Sequence, residues 1–326
     1  MNAICILGAS GLVGQKAIAL IDHLPNFEVT EVVASENRLG LTYEESVDWQ
    51  EPRLLPNSVA KLKFKEPCEV TSPFVISSLP SSVASKIEPL LAQKGKHVFT
   101  NSSCFRLDPN VPLVIPEINQ DQLKIVTRQP TPGKVVANPN CSATFIALAL
   151  APLLKLSSIS YVSVVTCQAI SGAGLNGLSA YQILGNIIPY IQDEEEKIAL
   201  ELAKILNIDT RFIVHTTRVP VINGHTIMLH IHFDKKLHLE NVKELYQNLS
   251  HVRLYEQKDR PQVFRDIGPY DDRVHIGRLK LVDRVLGMVV MGNNLTRGAA
   301  SAAIRNLLTF VGDRSCASSQ LSSRLF

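Results

Sequence analysis

Ala3-Ile4-Cys5-Ile6-Leu7-Gly8-Ala9-Ser10-Gly11-Leu12-Val13-Gly14 is a short apolar run that breaks into three spaced glycines. The run at 3–7 reads as a buried strand. The apolar spacing over 12–24, stopped by Pro25, reads as a helix. The turn between them has the pattern GxxGxxG. Glycine lets a ligand approach the backbone closely, and a helix start presents N–H groups that suit an anion. The motif is weak alone and gains weight from its strand–turn–helix setting. Gly8, Ala9, Ser10, Gly11, Leu12, Val13 and Gly14 are therefore the candidate pyrophosphate loop of a dinucleotide site.

The alternation continues downstream. Strands are expected at 29–34, 74–79, 97–100 and 123–127. A helix is expected at 83–93, started by Pro80-Ser81-Ser82 and ended by Gly95. Strands alternating with helices argue for a parallel sheet wrapped on both faces. From about 138 the pattern changes. A helix opens after Asn138-Pro139-Asn140, and another is expected at 194–206. Strands are expected at 159–169, 212–221, 226–233, 279–281 and 286–291, which suits a mixed sheet with polar alternation on one face. A last helix covers 297–310. The expected fold is α/β: a Rossmann-type dinucleotide-binding domain over 1–135, joined by the C-terminal helix of 294–326, and an α+β domain with a mixed sheet over 136–293. The Ser-rich tail 313–326 is expected to fray.

Composition excludes several classes. Among 326 residues the net charge is +3, with no stretch concentrating Lys or Arg, so no nucleic-acid partner is indicated. No run approaches the roughly 18 apolar residues that span a bilayer, and the start lacks the basic and long apolar regions of a secretory signal. No membrane association and a cytoplasmic location are expected. Six cysteines, at 5, 68, 104, 141, 167 and 316, contain no CxxC pair, so neither a disulfide framework nor a metal site is suggested.

The end of the second strand bears on the cofactor. An NAD site usually places an acid there for the ribose hydroxyls. Here the chain reads Val33-Ala34-Ser35-Glu36-Asn37-Arg38. A hydroxyl at Ser35 and a guanidinium at Arg38 suit a ribose 2′-phosphate and favour NADP. Glu36 keeps an NAD ribose open as the alternative. The second chemical signal is Cys141. It follows Asn138-Pro139-Asn140, a helix start, and a helix N-terminus favours the thiolate that attack on a carbonyl carbon requires.

Five segments together resemble the aspartate-semialdehyde dehydrogenases. They are Gly8 to Gly14; Asn138-Pro139-Asn140-Cys141-Ser142; Gln168-Ala169-Ile170-Ser171-Gly172-Ala173-Gly174; Arg218-Val219-Pro220-Val221-Ile222-Asn223-Gly224-His225; and Asn294-Leu295-Thr296-Arg297-Gly298-Ala299-Ala300. Glu194-Glu195-Glu196-Lys197-Ile198 and the Arg-Val-Pro-Val form are similar to the archaeal and fungal branch. The resemblance covers nearly the whole chain and implies that the second domain is catalytic and dimerising.

The resemblance also implies a mechanism. Cys141 attacks the aldehyde of L-aspartate 4-semialdehyde, hydride passes to NADP, and phosphate cleaves the thioester to 4-phospho-L-aspartate. Biosynthesis runs the reverse, feeding lysine, threonine, methionine and diaminopimelate. His225 is the implied general acid/base and Gln168 the residue that orients the intermediate. Arg218 clamps the substrate carboxylate. Asn101, Arg106 and Lys197 hold phosphate, and Glu194 meets the substrate amino group, with Glu195 and Glu196 as competitors. Ser171 and Gly172 lie toward the cofactor or close over the site, and Asn294 contacts the nicotinamide amide. Homodimers or homotetramers are implied. Cys104, near the phosphate residues, departs from the family pattern and is a candidate oxidisable thiol.

Three other readings are weighed. N-acetyl-glutamyl-phosphate reductases usually carry Gly before and Tyr after the cysteine, where this chain has Asn140 and Ser142. A malonyl-CoA reductase would use coenzyme A in place of phosphate. A non-catalytic dinucleotide sensor would be expected to lack Cys141, His225 or Arg218, and all three are present.

Overall fold

The computed structural model describes residues 1–312. The tail 313–326 and Cys316 lie outside the described residues. The chain forms two compact units, Met1–Pro139 with Ala299–Phe326, and Asn140–Gly298. No helix among the described residues is long and apolar enough to cross a membrane.

The first unit is built on five parallel strands: β1 (Asn2–Leu7), β2 (Phe27–Val33), β3 (Phe74–Ser77), β4 (His97–Thr100) and β5 (Val135–Ala137). Their order is β2-β1-β3-β4-β5. Strand order reverses between β1 and β3, and open parallel sheets bind ligands at the carboxyl ends of strands at such a point. Helix α1 (Leu12–Ile21) starts there and buries every residue from Gly14 to Ile21. Helix α2 (Ser81–Gln93) follows β3.

The strand expected at 123–127 is absent. Residues Gln120–Arg128 form a 3-10 helix that buries none of its side chains. Leu123, Ile125 and Val126 are half-buried, whereas Val135, Val136 and Ala137 are fully buried and take the place beside β4. A β-like apolar triplet does not make a strand when a more buried one competes for the same sheet edge. The last helix, Ser301–Phe310, is preceded by a π-helical turn at Thr296–Ala300. It packs Phe310 on Phe99 and His97, and Asn306 Nδ2 donates to Asn138 Oδ1 at 2.6 Å.

The second unit wraps a six-stranded sheet around one apolar helix. The strands are β6 (Ile159–Gln168), β7 (Arg211–Arg218), β8 (His225–Phe233), β9 (Val252–Leu254), β10 (Val274–Val282) and β11 (Val285–Gly292). Their order is β7-β6-β8-β11-β10-β9. β6 runs parallel to β7, and β9 to β10, while the three central pairings are antiparallel, so the sheet is mixed. Alternation along β8 buries His225, Ile227, Leu229, Ile231 and Phe233 and turns Met228 and His230 outward.

Helix α3 (Cys141–Leu153) lies against the buried face. Burying Phe145, Ile146, Leu148, Leu150 and Leu153 contributes on the order of 2 kcal/mol each. Helix α4 (Glu194–Leu206) packs on α3 and β7. Helix α5 (Leu239–Gln247), which the sequence pattern did not single out, is fastened to α3 by Tyr246 Oη donating to Ala149 O at 2.7 Å. β10 is longer than expected, and β7 stops at Arg218 rather than 221 because Pro220 has no N–H for a ladder.

Candidate active site

Cys141 is the first residue of α3, and its position is over-determined. Asn140 caps the helix: its Oδ1 accepts from the N–H groups of Ser142 at 2.8 Å and Ala143 at 3.3 Å. The Asn140 N–H donates to Glu201 Oε2 at 2.6 Å, from a side chain buried in α4. Gly298 approaches from the far side. A Cβ there would fall 2.6 Å from Cys141 Cβ, so a larger residue cannot stand beside the thiol.

The sulfur lies 3.1 Å from His225 Nε2. His225 begins β8 and is completely buried. Its Nδ1 accepts the Ala169 N–H at 3.1 Å, which assigns the ring proton to Nε2, facing the sulfur. Burial, and then the Arg218 charge, push the imidazole down to about 3. The ring at rest is therefore neutral, rather than titrating near the free histidine value. A helix N-terminus, an Nε2–H and a nearby guanidinium all favour negative charge on Cys141.

Arg218 and Gln168 end the neighbouring strands β7 and β6 in register. Arg218 is buried and donates from Nη1 to Ala169 O at 2.8 Å. Burial pulls its pKa down, while Glu194 and Cys141 push it up. Gln168 Nε2 donates to Glu194 Oε2 at 2.6 Å. Glu195 turns elsewhere and accepts from the Thr216 N–H at 2.8 Å, and Glu196 is exposed. Glu194 is thus the acid that joins Gln168. Gly172 lies against this group: a Cβ would fall 2.6 Å from Arg218 Nη1 and 3.4 Å from His225 Cε1.

Ser171 and Asn294 brace the site from within. Asn294 Nδ2 donates to Ser171 Oγ at 2.9 Å, and its Oδ1 accepts the Gly224 N–H at 2.8 Å. The side chain thereby ties two loops, and each amide atom keeps a further hydrogen-bonding capacity. Lys197, near the start of α4, is half-exposed and pairs with Asp193 at 3.5 Å.

The remaining residues belong to the first unit. Arg106 Nη2 donates to Asn101 O at 2.7 Å. The Asn101 side chain is held by Ser77 O and by Asn138 Nδ2, each at 3.1 Å. Asn101 and Arg106 are therefore neighbours, whereas Lys197 is in the other unit. Cys104 donates to or accepts from Ser102 Oγ at 3.3 Å, and burial pushes its thiol up. A raised thiol is the opposite of a redox-sensing one. At the end of β2, Ser35 Oγ donates to Asn37 Oδ1 at 2.6 Å, Glu36 is exposed and Arg38 is half-buried.

The glycine turn is tight and presents free backbone donors. Gly8 sits at φ 72°, where a side chain is strained. A Cβ on Gly14 would meet Gly8 O at 2.4 Å, so glycine lets α1 start tight against the turn. Among the described residues, the N–H groups of Ser10, Leu12, Val13 and Gly14 meet no protein acceptor. No group of three His, Cys, Asp or Glu suited to a metal occurs among the described residues.

Comparison with known proteins gives the family and the fold. A family model described as the semialdehyde dehydrogenase NAD binding domain matches residues 3–126, and one described as its dimerisation domain matches 150–297. The aspartate-semialdehyde dehydrogenase of Archaeoglobus fulgidus is 36% identical, covering 92% of this chain and 95% of the relative. That of Candida albicans is 32% identical, covering 92% and 95%. The crystal structure of aspartate-semialdehyde dehydrogenase II from Vibrio cholerae superposes with a TM-score of 0.85 at 26% identity, over 96% and 99% of the two chains. The Candida albicans enzyme with NADP gives 0.84 at 27%, over 96% and 99%. The chain belongs to the aspartate-semialdehyde dehydrogenase family.

Proposed function

We propose that the protein catalyses the reversible, NADP-dependent reductive dephosphorylation of 4-phospho-L-aspartate to L-aspartate 4-semialdehyde. The observation that carries this reading is the Cys141 sulfur at a capped helix start, 3.1 Å from the Nε2–H of a buried neutral histidine. The nicotinamide cofactor, when bound, would supply or accept the hydride.

In the reductive direction the Cys141 thiolate attacks the acyl phosphate carbon. The C–S bond forms, the C–O bond to phosphate breaks, and the thioester results. After reduction the C–S bond breaks and the thiolate leaves. Sulfur serves both steps because it is a good nucleophile and a good leaving group. The His225 Nε2–H donates a hydrogen bond to the negative charge on sulfur and on the oxygen of the adjacent carbon, which is electrostatic stabilisation rather than proton transfer. Gln168 holds the intermediate. Arg218 matches the substrate carboxylate in bidentate geometry, and Glu194 suits the ammonium group. Asn101, Arg106 and Lys197 are assigned to phosphate.

NADP is supported by Ser35 and Arg38 and by the relative solved with NADP. A homodimer is supported by the dimerisation-domain match. The test mixes purified protein with NADP, inorganic phosphate and aspartate semialdehyde and follows reduced cofactor by absorbance. A phosphate-dependent signal is expected, lost by at least 10³-fold in Cys141→Ser, the scale on which removing an essential nucleophile acts. A signal that needs coenzyme A instead of phosphate would move the assignment to an acyl-CoA reductase.

A further inference from the structure

The segment after β2 does more than connect strands. Tyr43 is completely buried, stacked on Phe64 at 5.6 Å and edge-on to Trp49 at 6.1 Å. Its hydroxyl donates to the Ala9 carbonyl at 2.9 Å, inside the glycine turn. Gln15, also completely buried, holds the next carbonyl: its Nε2 donates to Ser10 O at 3.0 Å and to Asp48 O at 3.2 Å, and its Oε1 accepts the Gln50 N–H at 2.7 Å. The buried pair Lys16–Glu51, at 2.6 Å, fastens the same segment to α1.

A trans peptide unit is planar, with its C=O and N–H pointing in opposite directions. Fixing the Ala9 carbonyl therefore fixes the direction of the Ser10 N–H, one of the four turn donors without a protein acceptor among the described residues. The two preceding N–H groups, of Gly8 and Ala9, are already committed to Val33 O at 2.9 and 3.0 Å, and that of Gly11 to Gly8 O at 3.0 Å. Among the described residues, the hydroxyl of Tyr43 is thus the side-chain group that sets the Ser10 peptide plane. Burial pushes its pKa far up, so it stays a donor at every physiological pH.

We propose that Tyr43 is a positioning residue for the dinucleotide: by holding the Ala9 carbonyl it aims the Ser10 N–H at the pyrophosphate. The proposal rests on the reading of 8–14 as the cofactor loop. A donor aimed at an anion makes a charge-assisted hydrogen bond, which is stronger than a neutral one. Misaiming the donor forfeits part of that, so an effect of about tenfold is expected.

The experiment measures binding to the full-length protein by calorimetry, for NADP and for adenosine 2′-monophosphate, which has no pyrophosphate. Tyr43→Phe keeps the stacked ring and removes the hydroxyl. Its dissociation constant for NADP is expected to rise about tenfold, while that for adenosine 2′-monophosphate changes less than twofold. Tyr43→Met, which also removes the donor from the Ala9 carbonyl, carries the same expectation should Tyr43→Phe fail to fold. An NADP constant within twofold of the parent overturns the proposal. So does parallel weakening of both ligands, which would mark general loosening. If the parent protein itself binds neither NADP nor NAD, the reading of the loop fails, and the proposal with it.

Discussion

Gly172 shows how closely the site is drawn at the scale of one residue. Its missing side chain leaves the space in which the Arg218 guanidinium sits beside His225. The guanidinium cannot swing away cheaply, because it is buried and bonded to Ala169 O. Gly172→Ala is therefore expected to raise the KM for aspartate semialdehyde at least tenfold while shifting the melting temperature by only a few degrees; steady-state kinetics and thermal unfolding check both. The three acids at the start of α4 make a second test. Glu194→Gln, which removes charge beside Gln168 and Arg218, should weaken substrate binding. Glu195→Gln should spare KM and cost about 1 kcal/mol of stability, because that carboxylate holds the Thr216 backbone. A KM effect of equal size in both variants would contradict the assignment. The consecutive acids at 194–196 look alike in sequence. Their separation required the neighbouring strands to be in place.

At the scale of an element, α2 carries an unusual group. Glu88 is completely buried, accepts from Thr100 Oγ1 at 2.8 Å, and is pushed by burial from 4.5 to about 7. Thr100 Oγ1 in turn accepts the Ser102 N–H at 3.0 Å, so this carboxyl supports the strand end that leads to Asn101 and Arg106. The sign of the linkage follows from a raised acid. Between about 4.5 and about 7 the folded chain keeps a proton that the unfolded chain has released, so stability falls as pH rises through that window and is flat above it. Glu88→Gln has no such slope. Its stability advantage should grow from pH 5 to pH 8, reaching at most roughly 3 kcal/mol, as read from denaturant midpoints at each pH. An advantage independent of pH would show that Glu88 is not the titrating group. The helix start at Cys141 is easier to foresee. Asn140→Ala should cost about 1 kcal/mol in unfolding experiments, the usual worth of such a cap. Elements with a strong local signal, such as the glycine turn with α1 or the capped α3, were legible in sequence. The strand expected at 123–127 is a 3-10 helix instead, because its apolar triplet carries no information about which segment would win the edge beside β4.

At the scale of the whole molecule, the second unit exposes Tyr181 fully and Leu184, Ile187 and Tyr190 by more than half. These exposed apolar side chains lie within the span matched as a dimerisation domain, which makes them the candidates for a dimer surface. The same segment touches the site: Ile188 and Arg218 exchange backbone hydrogen bonds at 3.0 and 2.8 Å. Tyr181→Glu combined with Leu184→Glu should convert a dimer into a monomer by sedimentation velocity and lower kcat/KM more than tenfold. A monomer with full activity would separate the two. The sequence by itself determined the alternation of strands and helices, the glycine turn and the capped cysteine, because backbone sterics and capping act over a few residues and leave their mark in adjacent letters. The tertiary structure alone decided the tautomer and neutrality of His225, the choice among three glutamates, the use of Asn294 as a tie and the support of the cofactor turn by Tyr43. Those depend on groups far apart in the chain, 84 residues in the case of Cys141 and His225, brought together by burial, which also sets the charge each group can bear.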